Sequence, residues 1–206
     1  PLQAARQRLD ELARRPTLDA QARTAIESSL SEIDQLLSTF AALLRLARLQ
    51  AGGFERSQQW VDLDRVVHDA VEMYAPLAAA AGRELSARIA PFRAPVDRNL
   101  WFQLVQNLID NAVKYSPDGA TVTVSARVNP SGLALSVADT GDGIPSRDLD
   151  RVFERFYRVD RARSRETGGT GLGLAIVRHV AHNHGGEVSV RSKEGQGSEF
   201  TLVLPL

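Results

Sequence analysis

Cysteine is absent from the 206 residues, so neither a disulfide framework nor a thiolate metal site can be built, as suits a reducing compartment. There is no surplus of either charge. Lys+Arg and Asp+Glu both total 25, which leaves no basic excess to attract nucleic acid or anionic lipid and argues for a small molecule or a protein as partner. No apolar run approaches the ~20 residues that span a bilayer, and no signal peptide is visible, so the residues given read as soluble. They begin at Pro1 rather than methionine and so read as a fragment. A composition of 24% charged and 43% hydrophobic residues is ordinary for a globular chain, and the length is comfortable for two domains.

Against these absences, the richest stretch runs from Asn107 to Gly173. It holds two glycine clusters, Asp139-Thr140-Gly141-Asp142-Gly143 and Gly168-Gly169-Thr170-Gly171-Leu172-Gly173. Glycine tolerates positive φ and has no Cβ, so such clusters suit a backbone passing close to a phosphorylated ligand. They also suit ordinary turns. The segment before them predicts a helix from Asp97, as its cap, to Lys114, with Ser116-Pro117-Asp118-Gly119 as the stop. Trp101, Val105, Leu108, Ile109 and Ala112 fall on one side of it; Gln103, Asn107, Asn111 and Lys114 fall on the other. Asparagine oxygens suit a hard cation such as Mg²⁺ and lysine suits phosphate. Taken alone, the stripe is read more economically as a solvated helix face.

The run Asn107-Leu-Ile-Asp-Asn111-Ala-Val-Lys114-Tyr115-Ser, then DTGDGIP from Asp139, FERFYR from Phe153, GGTGLGLAIV from Gly168 and GQGSEF from Gly195 resembles the catalytic and ATP-binding domain of bacterial sensor histidine kinases. The resemblance covers roughly residues 61 to 206. It implies the Bergerat ATP-binding fold, a two-layer α/β sandwich shared with gyrase-type ATPases and Hsp90 chaperones.

Upstream, the pattern is helical. Leu2, Ala5, Leu9 and Leu12 repeat at three and four and Pro16 interrupts; then Ile26, Leu30, Ile33, Leu37, Phe40, Leu44 and Ala47 continue the heptads. Leu36, Leu43 and Leu46 widen the stripe toward that of a four-helix bundle, which predicts two hairpins meeting as a homodimer. The alternative is a hairpin packed on its own chain. The expected fold is therefore α+β: a dimerisation hairpin over 1–51, a linker over 52–60 opened by Gly52 and Gly53, and a catalytic domain over 61–206. A second helix from Thr17 to Ala51 would span about 50 Å against about 20 Å for the first. In the resembled family the first helix carries the phosphoaccepting histidine in a motif His-Asp/Glu-Leu-Arg-Thr-Pro-Leu, and Pro1-Leu2 match its end. That register puts the acceptor upstream of Pro1, so the residues given are expected not to phosphorylate themselves.

Further elements are expected as a strand at Val61-Asp62-Leu63, a helix from Leu63 to Ala80 closed by Gly82, and a strand from Glu84 to Ala90. A hairpin of Thr121–Val128 and Leu133–Ala138 follows around Asn129-Pro130-Ser131-Gly132. A helix from Gly171 to His184 and a last hairpin of Glu187–Arg191 and Glu199–Leu204 complete the set.

The resemblance assigns roles residue by residue. It implies Mg²⁺ on Asn111 with Asn107 beside it, Lys114 on phosphate, and Asp139 accepting from the adenine amino group. Tyr115 and Ile144 would line the base, and Gly141 and Gly143 would turn beneath it. Gly169, Gly171 and Gly173 would bring backbone N–H groups to the phosphates at a helix N-terminus, with Thr170 and Leu172 between them also at the ATP. Phe153, Phe156 and Arg158 would belong to a lid, with Arg158 on phosphate, and Thr201 would lie near adenine. Asn107, Lys114 and Arg158 are the expected catalytic set. Where the hydrolysing relatives place a glutamate, this chain has Asn107, which is no base at neutral pH and so favours transfer over hydrolysis. The implied activity is ATP- and Mg²⁺-dependent phosphorylation of a histidine and then of a response-regulator receiver domain, in the cytoplasm, with the parent protein open to inner-membrane anchoring. The alternatives are an ATP-binding scaffold or a response-regulator phosphatase. Bland readings stand beside these: Asp139 as a turn cap, Phe153 and Phe156 as core anchors, and Arg158, Arg161, Arg163 and Arg165 as a solvated loop. His179, His182 and His184 lack a carboxylate or cysteine at ligand spacing and read as favoured by a helix C-terminus, and His68 as surface or semi-buried.

Overall fold

The structure, a computed structural model, describes residues 2–15, 18–50, 58–129, 132–160 and 169–205. The expectations for Pro16, Gly52, Gly53, Pro130, Ser131, Arg161, Arg163, Arg165 and Gly168 fall outside these, and the side chain of Leu46 is likewise not described.

Helix α1 (Leu2–Ala13) runs against α2 (Ala20–Gln50), to which the Arg6 guanidinium ties it through Asp34. The second helix starts three residues later than expected because Asp19 caps it, its Oδ1 accepting from Ala22 N at 2.7 Å. Its 31 residues span about 47 Å. Ile26, Leu30, Ile33 and Leu37 are half-buried, but Leu36, Phe40 and Leu44 are 58%, 61% and 45% exposed, so one chain leaves much of the widened stripe uncovered.

Strand β1 (Gln59–Asp62) begins inside the stretch expected to be linker and ends before Leu63, which is fully buried as the first residue of α3 (Leu63–Ala80). Its partner is the unforeseen β3 (Arg93–Val96), in an antiparallel pair that sets Trp60 opposite Pro95. Proline lacks a ladder donor, and a two-stranded sheet consisting only of edges tolerates it. Between them lies β2 (Glu84–Ile89).

Helix α4 (Arg98–Lys114) then crosses over to β4 (Thr121–Asn129), which is parallel to β2, as a parallel pair requires. Asp97 caps α4 through Asn99 N and Leu100 N, at 2.9 and 3.1 Å. The chain continues through β5 (Gly132–Asp139), an unforeseen 3-10 turn (Ser146–Arg151), α5 (Gly173–Asn183), β6 (Glu187–Lys193) and β7 (Gly197–Leu204). The main sheet has the order β2-β4-β5-β7-β6 and is antiparallel apart from β2 and β4.

Alternation along the strands turns Val122, Val124, Leu133, Leu135, Val137, Phe200 and Leu202 to one face, where all are buried. Trp101, Leu104, Val105, Leu108 and Ile109 of α4 and Ile176, Val177 and Val180 of α5 close the same core. One sheet layer and one helix layer make the two-layer α/β sandwich that was expected. At its far end His184 is buried: Nδ1–H donates to Val180 O at 2.8 Å, Nε2 accepts from Asp97 N at 3.2 Å, and the ring lies edge-on to Trp101. Burial holds its pKa below the ordinary imidazole value. His68 is exposed, its Nδ1 2.7 Å from Asp64 O.

Candidate nucleotide site

The C-terminal half of α4, the N-terminus of α5 and the loop after β5 converge on a cleft of two joined compartments. The larger, of about 310 Å³, is bounded by Asp139, Gly143, Ile144, Glu194 and Ser198. The smaller, of about 170 Å³, is bounded by Asn107, Lys114 and the backbone of Gly169, Thr170, Gly171 and Gly173. Asn111, Tyr115, Tyr157 and Arg158 line both. Ser38 and Ala42 of α2 wall the smaller one, and Ala42 is buried there.

In the larger compartment both backbone donors reach the same oxygen of Asp139: Gly141 N at 2.9 Å and Ser198 N at 3.3 Å donate to Oδ1. Among the described residues, Oδ2 accepts no hydrogen bond. Burial raises the pKa of this carboxyl and the Asp142 charge adds to it, while the two N–H donors oppose them. The loop beyond is fixed by Ser192, whose Oγ accepts from Ile144 N at 2.7 Å and donates to Gly197 O at 2.8 Å. With its own proton so committed, Ser192 Oγ is left to accept from the Ser198 hydroxyl at 2.9 Å.

The smaller compartment is a cradle of backbone. Gly171 has φ +69°, and a Cβ there would stand 2.9 Å from the backbone of Phe156, so glycine is required twice over. Among the described residues Asn107 Nδ2 is buried without a partner, and so are Nε and Nη2 of Arg158. Unpaired buried donors are costly unless a ligand supplies acceptors. Lys114 is already engaged by Asp110, Nζ to Oδ2 at 2.7 Å, an i,i+4 pair at the cavity edge.

Thr201, Phe156, Phe153, Leu172 and Gly141, all expected at the site, bound neither compartment. Thr201 lies on the opposite face of β7 from the buried Ser198, Phe200 and Leu202, so the strand's two-residue period turns it away from the cleft, and Ser198 lines the larger compartment instead. Phe156 is 53% exposed with φ +62° and bounds neither compartment, whereas Phe153 packs edge-on against Phe200. Leu172 is fully buried in the core, and its N–H donates to Thr170 Oγ1 at 3.3 Å. Gly141 sits under Asp139. Tyr157, also unforeseen, bounds both compartments; its hydroxyl donates to the buried Asp148 Oδ1 at 2.6 Å, and the Arg151 guanidinium lies 4.2 Å from its ring centroid. The hydrogen bond to Asp148 raises the Tyr157 pKa above that of an ordinary phenol.

Comparison with known proteins gives this geometry its context. Residues 96–206, more than half of the chain, match the family described as "Histidine kinase-, DNA gyrase B-, and HSP90-like ATPase". The chain is 42% identical over 182 residues to the sensor-like histidine kinase SenX3 of Mycolicibacterium smegmatis, covering 87% of this chain and 47% of that protein. It is 37% identical over 180 residues to the sensor histidine kinase WalK of Bacillus subtilis, covering 85% and 29%. Among solved structures it resembles full-length ShkA in complex with AMPPNP, with a TM-score of 0.75 and 31% identity over 99% of this chain and 44% of that one. The chain thus spans about half the length, or less, of these relatives. It belongs to the family of histidine kinase-, DNA gyrase B- and HSP90-like ATPases, on the branch of the bacterial sensor histidine kinases.

Proposed function

We propose that this chain binds Mg²⁺-ATP in the cleft and works as the catalytic module of a two-component sensor kinase, passing the γ-phosphate to a histidine and from there to a response-regulator aspartate. The observation that carries the reading is Asp139. A half-buried carboxylate in the wall of a 310 Å³ cavity, with one oxygen held by two backbone donors and the other free to accept, suits the 6-amino group of adenine, where guanine carries a carbonyl. The smaller compartment then takes the phosphates. There Arg158 and the backbone N–H groups before α5 supply positive potential, and Asn107 Nδ2 supplies a donor.

The donor set also fits a magnesium ion. Among the described residues no group of three His, Cys, Asp or Glu could hold a metal by itself. Mg²⁺ usually retains waters and substrate phosphates with only one or two protein oxygens, which Asn111, with Asn107 beside it, can provide. When bound, the ion neutralises phosphate charge. Asn107 cannot abstract a proton from water, so the cleft positions and stabilises rather than hydrolyses. Phe153 and Tyr157 hold the segment that carries Arg158, one through Phe200 and the other through Asp148.

The uncovered apolar stripe of α2 supports a homodimer through the hairpin, with the catalytic unit beginning just before Gln59. Among the described residues no helix is long and apolar enough to cross a membrane, and the module is assigned to the cytoplasm, where ATP and receiver domains are found. None of the four histidines lies on α1 or α2: His68 is on α3, and His179, His182 and His184 are on or just after α5. These residues alone are therefore expected to bind nucleotide without labelling themselves. Incubation with γ-labelled ATP, alongside calorimetry with Mg²⁺-ATP, tests both halves. Failure to bind adenine nucleotide would refute the site, and acid-labile label on any of the four histidines would refute the assignment of the acceptor.

A further inference from the structure

The segment that closes α4 is held from behind by a residue outside the cleft. Arg83, between α3 and β2, directs Nε and Nη2 to the same acceptor, the carbonyl oxygen of Ser116, at 2.8 and 2.5 Å, while its Nη1 donates to Ala81 O at 2.8 Å. Among the described residues Arg83 takes part in no ion pair. Its half-buried charge is thus directed wholly to carbonyls, at the C-terminal end of α4, where the helix dipole favours a cation. The same two loops are joined again by Gly119 N donating to Gly82 O at 2.8 Å and by Glu84 N donating to Ala120 O at 3.0 Å.

The held peptide borders the cleft on its other side. Tyr115, immediately before Ser116, lines both compartments, and its carbonyl accepts from Asp142 N at 3.5 Å. Gly141 lies against this peptide so closely that a Cβ would come within 2.7 Å of Tyr115 O. Residues 115 and 116 are therefore pressed between the guanidinium and the loop that carries the N–H held by Asp139. Among the described residues Ser116 Oγ is buried there without a partner, so the segment is held by its backbone rather than by that side chain.

We propose that Arg83 is a positioning residue for the base side of the nucleotide site: by fixing the Ser116 carbonyl it sets the distance between Tyr115 and the Asp139–Asp142 loop. The inference rests on the adenine-nucleotide reading above. A guanidinium is suited to the task because its planar fork can present two N–H groups to one oxygen and a third to another, whereas an ammonium is a single flexible point charge. Loss of the fork lets the 115–116 peptide relax away from Gly141 without removing any group that touches nucleotide.

The test uses the full 206-residue chain, with Mg²⁺-ATP and metal-free ATP as probes and amide NMR of the unliganded protein. Arg83→Gln should lose about tenfold in ATP affinity, the scale of one hydrogen-bonded charge supporting a site. The factor should be the same with and without chelator, because the loss lies on the base side. The Gly141 and Asp142 amide resonances should shift before any nucleotide is added. Arg83→Lys, which keeps the charge but not the fork, should recover part of the affinity and move the same two resonances less; it decides the matter if the glutamine variant does not fold. Affinity within twofold of the parent chain for both variants, or a loss of affinity with the Gly141 and Asp142 resonances unmoved, overturns the positioning role and leaves Arg83 a general stabiliser. A parent chain that binds no adenine nucleotide overturns the underlying reading instead.

Discussion

Replacing Asp139 with asparagine isolates the contact on which base recognition rests. Gly141 N and Ser198 N both donate to Oδ1, so the asparagine oxygen must occupy that position and its NH₂ must replace Oδ2. An adenine amino group then meets donors instead of an acceptor. Losing a hydrogen bond to a charged group costs about 1.5–3 kcal/mol, which is roughly a 10- to 150-fold rise in Kd for Mg²⁺-ATP. Inosine triphosphate carries an acceptor where adenine carries its amino group, so its affinity should rise relative to ATP in the variant. The unliganded protein should respond in the opposite sense. Burial raises the Asp139 pKa above its unfolded value of 3.8, so its contribution to stability is fully present below 3.8 and lost as pH rises through the folded pKa. At neutral pH the ionised carboxylate is therefore a cost, and Asp139→Asn should melt higher than the parent chain, the gap closing below pH 3.8. Calorimetry with both nucleotides and thermal scans across pH are the assays. Equal losses for ATP and inosine triphosphate, or a lower Tm at neutral pH, would refute the reasoning.

Three other perturbations have definite outcomes. Asn111→Ala should weaken ATP binding only when Mg²⁺ is present, which titrations with and without chelator will show; equal losses in both would mean that Asn111 is not the metal's ligand. Phe40→Asp places a charge in the uncovered stripe of α2, where burial between two chains costs several kcal/mol, so light scattering should report a monomer that still binds ATP. His184 has a folded pKa below its unfolded value of 6.5, so its contribution to stability is present above 6.5 and lost as pH falls through the folded pKa. His184→Ala should accordingly flatten the decline in Tm over that window, whatever its effect on the Tm itself, and an unchanged slope would refute the buried neutral tautomer.

Much of this site can be read in the sequence because α4 is periodic. Trp101, Leu108 and Ala112 on one face fix Asn107, Asn111 and Lys114 on the other, and Asp97 marks the start of the helix. Period two would have excluded Thr201 in the same way, since Phe200, Leu202 and Leu204 turn inward; the resemblance placed it at adenine against its own strand. Phe156 and Tyr157 could not be sorted by any period, because they lie in irregular backbone where a positive φ at Phe156 turns that ring outward. Strand β3 is only four residues long and contains Pro95, so propensity argues against it, and it forms because β1 supplies a partner. The clamp from Arg83 to Ser116 spans 33 positions and leaves no pattern in either segment.

Asn111, Tyr115, Tyr157 and Arg158 border both compartments. An inhibitor shaped to the 310 Å³ side alone would still rest on these four side chains and fix their rotamers. It would thereby close the phosphate side to a competing nucleotide without carrying any anionic group of its own. A compound confined in this way avoids the charge that keeps triphosphate mimics out of cells, and substitutions that escape it at the shared wall would fall on residues that the nucleotide also needs.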